Sequence, residues 1–292
     1  MATGQTGCRA GILFARAALI WRCVRTICDK LGAIPEFITG TNELRHTVIT
    51  ASMLFCTFIA ADRNFASADE AVDIETGNRL ASVLRAGRGV ISNNQELIND
   101  ASIGDKGFTG EVFFSAAIEA YLKKNGEHPL DEGLDPESRS MTETQINAMV
   151  EVVDESQEII NADGLAFKGF IPAVFARLAN EKFGEEMADR ASIKVTAPKE
   201  LVRNRKARPD EWENEVIVTK FQAAGWPVGE AFYEETAVDG KPAFRMLIPE
   251  YYSESCLACH GSPKGETDVT GFPKEGGSVG DLAGAISITL YK

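Results

Sequence analysis

The sequence predicts an α+β domain in which a helical N-terminal segment packs on an antiparallel sheet. Three observations point there. Apolar residues recur at helical spacing between residues 72 and 183, short β-like runs replace them from Ser192 onward, and Asp239-Gly240 joins two of those runs with a two-residue hairpin signal. Strands alternating with crossover helices, the mark of a parallel α/β sheet, are absent.

The elements follow in order. Val72, Leu80, Val83, Leu84, Val90, Ile91, Leu97 and Ile98 recur at mostly helical spacing, interrupted by the small cluster Ala86-Gly87-Arg88-Gly89, and predict a long helix facing a partner. A second helix is expected over residues 110–124, ended by Asn125-Gly126, which accept a left-handed C-terminal conformation. Residues 127–140, polar and containing Pro129 and Pro136, read as a loop. Helical pattern resumes over residues 142–160, where Ile146, Met149, Val150, Val153 and Ile159 form one stripe, and again over 173–183. Strands are expected at 193–197, 229–238, 241–248 and 285–291, with a helix over 209–221 between the first two. The Gly-rich residues 261–284 read as an irregular loop. No repeat or low-complexity tract is visible. Residues 69–190 form the helical segment and 191–292 the sheet domain, the two making one unit.

With 292 residues and 44% apolar content the chain can bury a sizeable core. Acidic residues outnumber basic ones 43 to 30. The first 68 residues hold seven of the basic and four of the acidic residues, so the remainder carries a net charge of −16. That surface excludes nucleic acid as a partner. Residues 48–61, VITASMLFCTFIAA, form an uncharged apolar run between Arg45 and Ala66-Ser67-Ala68. The pattern predicts a signal peptide over residues 45–68, cleaved near Ala68 to give a periplasmic protein. The run is shorter than the roughly 20 residues of a membrane-spanning helix, so no stable span is expected after processing. Residues 1–44 read as an over-extended start, with the true initiator near residues 44–48.

Cys8, Cys23, Cys28 and Cys56 fall in that N-terminal part; beyond it stand only Cys256 and Cys259. Together with His260 they make CLACH, a C-x-x-C-H motif. Two thiols three positions apart on one turn can reach both vinyl groups of one porphyrin, and the following histidine then sits under the iron as proximal ligand. Random placement of six Cys and three His would produce the motif in roughly one chain in 800. A dithiol redox pair would leave His260 without a role. A zinc site needs four ligands, and after residue 68 only His128 adds a histidine. One covalent haem c is the expected cofactor.

Several stretches besides CLACH carry a resemblance: FKGFIPAVFAR (residues 167–177), IKVTAPKELVRNRKARPDEWE (193–213), FRMLIPEYYSESCLACHGSPKGE (244–266) and GDLAGAISITL (280–290). Together they resemble the Tll0287-like haem-binding domains, c-type haem proteins of PAS-like fold, from about Asn161 to the end and more loosely back to Asp69. The resemblance implies a helical segment over a PAS-like antiparallel sheet with the haem between them. The family's typifying member is read as taking its second axial ligand from a cysteine of the helical segment. Residues 69–255 contain no cysteine, so another sixth ligand or an open site is expected.

His128, Met141, Met149, Met187, Met246 and Lys168 are the side chains with suitable donors, Met246 standing nearest the motif in sequence. Met246 can equally be a flexible core filler. Arg203, followed by Arg205 and Lys206, suits haem propionates through paired charge-assisted hydrogen bonds. Tyr251, Tyr252, Phe244 and Trp212 can wall a porphyrin, or serve only the core. An enzyme would need a distal acid–base constellation, which the sequence does not offer. The expected function is redox or small-ligand sensing, with a diatomic gas or a redox protein as partner, and the alternative is a periplasmic electron carrier.

Overall fold

The computed structural model describes residues 68–292, which belong to one compact unit spanning Ala66–Lys292. The expected over-extended start (1–44) and signal peptide (45–68) lie, but for Ala68, outside the described residues. Among the described residues eight α-helices precede or interleave a four-stranded antiparallel sheet, so the fold is α+β.

Helix α1 (Ala68–Asn93) is the long helix expected, and it runs through Ala86-Gly87-Arg88-Gly89, where the apolar spacing lapses. Gly87 is a contact point, not a breaker. A Cβ there would lie 2.7 Å from Met149 Sδ and 3.2 Å from Phe113 Cζ, so its absence lets three helices close on one another. After α2 (Gln95–Asn99) comes α3 (Gly110–Asn125), whose N-cap Thr109 accepts a hydrogen bond from Val112 N–H. Helix α4 (Pro136–Glu155) begins inside the stretch predicted as loop. Asp135 accepts from the N–H groups of Glu137 and Ser138, and Pro136 occupies the first turn, where a missing N–H costs nothing. Helices α5 (Gln157–Ile160) and α6 (Pro172–Met187) complete the segment.

These six helices are two copies of one hairpin, a repeat that the sequence reading missed. Equivalent residues stand 62 positions apart, the separation of Thr76 and Ser138, whose hydroxyls hydrogen-bond to each other. Helices α3 and α6 start and stop at equivalent positions. The loops ahead of them trade hydrogen bonds. Asn161 Oδ1 accepts from Lys106 N–H and Asn99 Oδ1 from Lys168 N–H, each at 2.9 Å. Gln157 Nε2 donates to the Phe108 carbonyl at 2.9 Å and Gln95 Nε2 to that of Phe170 at 3.0 Å. Each loop also folds a buried lysine onto its own carbonyls, Lys106 onto Asp100 and Ile103, Lys168 onto Ala162 and Leu165. Phe113 meets its equivalent Phe175 at 5.2 Å between ring centroids. Along the helices the copies preserve burial more than identity, which hides the repeat from a reading by composition and period.

The sheet follows: β1 (Ala191–Thr196), β2 (Phe232–Val238), β3 (Lys241–Tyr251) and β4 (Leu282–Tyr291), in the order β1-β4-β3-β2. Asp239 and Gly240 turn between β2 and β3 at φ 52° and 81°, the doubly left-handed geometry that matches strand twist. Phe244, Met246, Ile248, Ile286 and Ile288 face the helices and share their core. Leu247 and Ala285 face the other way, under Val216 and Ile217. Val216 ends α7 (Glu211–Val216), which opens with the capping box of Asp210 and Glu213, and Ile217 begins the π-turn that continues it to Phe221. Buried Glu213 pairs with Lys194 at 2.6 Å and Arg245 at 3.5 Å. At the far end of β3, Glu250 receives Arg85 at 2.6 Å and Arg88 at 2.8 Å from α1, which pins the helical layer to the strand that leads into CLACH.

Candidate functional site

Past β3 the chain crosses under a strap from the Gly-rich loop. Tyr252 N–H donates to the Asp281 carbonyl at 3.0 Å, Gly280 N–H to that of Tyr252 at 2.9 Å and Gly277 N–H to that of His260 at 2.8 Å. Gly277 must lack a side chain, since a Cβ would lie 2.6 Å from Tyr252 Cε2. A tight turn, Glu254–Cys256, then leads into α8 (Leu257–His260), and Gly261 N–H closes it on the Leu257 carbonyl at 2.9 Å. The whole motif therefore sits on consecutive helical turns. Cys256 and Cys259 are free and half-buried, three positions apart, so both thiols leave the same side of the coil. Burial, with Asp268 nearby, pushes the Cys259 thiol up from its ordinary value.

His260 is held on two sides. Tyr252 stacks on the imidazole at 5.1 Å between centroids and 25° between planes. Nδ1 hydrogen-bonds Glu275 Oε2 at 2.9 Å, so Nε2 is the nitrogen left to meet a metal. Glu275 is itself clamped by Arg203, Nε to Oε1 at 2.8 Å and Nη2 to Oε2 at 2.9 Å. The same guanidinium reaches Asp268 Oδ2 at 2.6 Å and the Cys259 carbonyl at 2.9 Å, and lies 5.5 Å from the centre of the Phe272 ring. Asp268 also accepts from the N–H and hydroxyl of Thr270 and from Phe272 N–H.

These contacts fix the electrostatics. Burial raises Asp268, but its hydrogen bonds from Thr270, Arg203 and Phe272 outweigh that and hold it far below the usual carboxylate range. Glu275 shows the same contest: burial opposes, and Arg203 and His260 win, leaving it below its ordinary value. Burial first, then the Glu275 charge, pushes Tyr252 up to about 12.

Among the residues expected from the sequence, Cys256, Cys259, His260, Arg203 and Tyr252 come together here. Arg203 is committed to carboxylates of the loop and to the motif's own backbone. Tyr251 lies one position before, its hydroxyl accepting from Gly229 N–H at 3.0 Å. Phe244 and Met246 are core residues between sheet and helices. Phe244 stacks on Tyr233, and Met246 Sδ fills the space a Cβ on Gly77 would need. Trp212 lies on the outer face under Arg245, Lys206 pairs with Glu181 at 2.7 Å, and Arg205 is exposed. Met141, Met149 and Met187 sit in the helical core, Lys168 is capped by carbonyls, and His128 Nδ1 accepts from Leu130 N–H at 3.1 Å. Sequence reasoning missed Glu275 and Asp268. Their one signal is that they are carboxylates in a loop otherwise rich in glycine.

The residues present suit a haem c: two free thiols on one turn, a histidine directed by a carboxylate, and a loop that braces the turn. Among the described residues no group of three or more His, Cys, Asp or Glu converges as a metal cluster, and no helix is long and apolar enough to cross a membrane. A haem iron asks only one histidine of the motif. No curated protein and no solved structure matches the chain. A family model described as Tll0287-like (Tll0287) matches residues 118–290, more than half of the sequence, and the chain therefore belongs to the Tll0287-like family.

Proposed function

We propose that this chain is an exported haem protein that carries one covalent haem c on Cys256 and Cys259, with His260 as the iron's proximal ligand, and that it senses redox state or a small ligand. The observation that carries the proposal is the CLACH turn itself. Two free, half-buried thiols leave one side of it, and the adjacent imidazole is oriented by Glu275 so that Nε2 is available. The bound group would supply the iron's redox and ligand chemistry. The chain's own residues hold and orient it: Tyr252 fixes the imidazole plane, Arg203 ties the Cys259 carbonyl to the loop, and the strap of residues 276–281 covers the base of the turn.

CLACH, which would hold the group, follows the end of β3, while Phe244, Met246 and Ile288 pack in the core between helices and sheet. Sensing is favoured over electron carriage because each protein donor expected as a sixth ligand is engaged elsewhere, whereas a carrier keeps two strong ligands in both oxidation states. A diatomic gas or a redox protein is then the partner. Export rests on the apolar run at residues 48–61 and Ala66-Ser67-Ala68.

Expression with haem-attachment machinery in an oxidising compartment should give one haem that survives acid–acetone extraction. The double variant Cys256→Ala, Cys259→Ala should release it, and retained covalent haem in that variant refutes the attachment. Spectra of ferric and ferrous forms with CO or NO test the sensing part: low-spin six-coordinate iron in both states, indifferent to CO, would make the protein an electron carrier.

A further inference from the structure

The hydrogen bond between His260 Nδ1 and Glu275 Oε2 does more than select a tautomer. A carboxylate on the far nitrogen draws the N–H proton toward itself, gives the ring imidazolate character and makes Nε2 a stronger donor. Stronger donation stabilises the ferric over the ferrous state. Here the carboxylate is not free to act at full strength. Arg203 binds it through two parallel hydrogen bonds, a fork that spreads positive charge over both oxygens. The same Nη2 that meets Oε2 also donates to the Cys259 carbonyl at 2.9 Å, so the clamp moves with the thioether turn. Neither end is loosely placed: the Glu275 side chain is 16% exposed and the Arg203 side chain 19%.

We infer that Glu275 and Arg203 form an opposed pair of positioning residues that sets the redox potential at His260, Glu275 lowering it and Arg203 limiting how far it falls. The inference rests on the haem reading above. It deepens that reading, because a lowered potential keeps the resting protein ferric until a reductant or a ligand for ferrous iron appears.

The test uses the full holoprotein. At a fixed ambient potential near the midpoint, Glu275→Gln, which keeps size and a hydrogen-bonding group but removes the charge, should shift the ferric-to-ferrous ratio at least tenfold toward ferrous. For one electron that is about 59 mV. The iron–histidine stretch of the ferrous protein, read by resonance Raman, should fall at the same time. Arg203→Lys, which keeps a charge but loses the fork, should move both quantities the other way. A brace that merely held the loop would not give shifts of opposite sign. Should Glu275→Gln fail to mature, Glu275→Asp, whose shorter carboxylate leaves the imidazole, should shift the potential upward in its place. Covalent haem with unchanged potential and unchanged stretch in these variants overturns the inference and leaves the haem reading intact. Absence of covalent haem from the unaltered protein overturns the haem reading itself.

Discussion

Replacing Arg203 with leucine should cost about 3 kcal/mol of unfolding free energy, and the geometry says where each part arises. Breaking a buried ion pair by removing one member costs about 3–5 kcal/mol when the surviving charge is left uncompensated. Asp268, whose side chain is fully buried, keeps three other donors, and Glu275 keeps His260, which together place this loss near or below 2 kcal/mol. The Cys259 carbonyl loses its side-chain donor, adding about 1 kcal/mol. The Phe272 ring, 43% exposed, loses its cation for roughly another 0.5 kcal/mol. Urea unfolding of the haem-free protein, followed by far-ultraviolet circular dichroism, measures the difference from the unaltered chain. Limited proteolysis should at the same time open new sites between residues 261 and 280. A loss below about 1 kcal/mol with an unchanged digest would refute the bracing role, since it would mean that the loop's own backbone bonds suffice.

Acid should act through the same contacts. Asp268 has a folded-state pKa below its unfolded value, so its stabilisation is complete above the ordinary carboxylate pKa of about 4 and is lost as pH falls through the folded value; unfolding followed against pH should show Arg203→Leu failing at higher pH than the unaltered chain. Gly87→Ala should destabilise by about 1–3 kcal/mol in thermal unfolding, because Met149 Sδ can swing away from a new Cβ while the Phe113 and Phe175 rings, at 3.2 and 3.3 Å, cannot. Asn99→Ala and Asn161→Ala should cost similar amounts, about 1 kcal/mol each, and hydrogen exchange should show either change loosening both the loop at residues 100–109 and that at 162–171. Mass spectrometry of the exported protein should find an N-terminus within a few residues of Asp69, and a product still carrying Met1 would refute the processing.

The strands were legible because alternation and the Asp239-Gly240 turn are local signals, and the motif was legible because its geometry is written in five consecutive residues. The start of α4 was set too late because Asp135-Pro136, a helix start, uses the same residue types as a loop. That Gly87 is a contact point depends on Met149 and Phe175, which only the fold brings near. Glu275 escaped for the same reason. It lies 15 positions from His260 across a loop with no periodicity to follow. Arg203 could be named from its chemistry, but its protein partners, the Cys259 carbonyl and the loop carboxylates, lie 56 to 72 positions away.

The twin hairpins have a consequence for how the molecule holds together. Because the Asn99 and Asn161 sides each satisfy the other's loop, the bundle has the bonding of a symmetric dimer whose two subunits share one chain. Association that would otherwise depend on concentration, and cost translational and rotational freedom, has become intramolecular. Joined halves are also free to specialise. Gly126, at φ 77°, and its counterpart Ala188, at φ 50°, close α3 and α6 with the same backbone bond to the residue four back. After Gly126 the chain returns to build the second hairpin. After Ala188 it enters β1 and builds the sheet whose third strand leads into CLACH. One half thus serves as partner, and the other as the stem from which the chemistry grows.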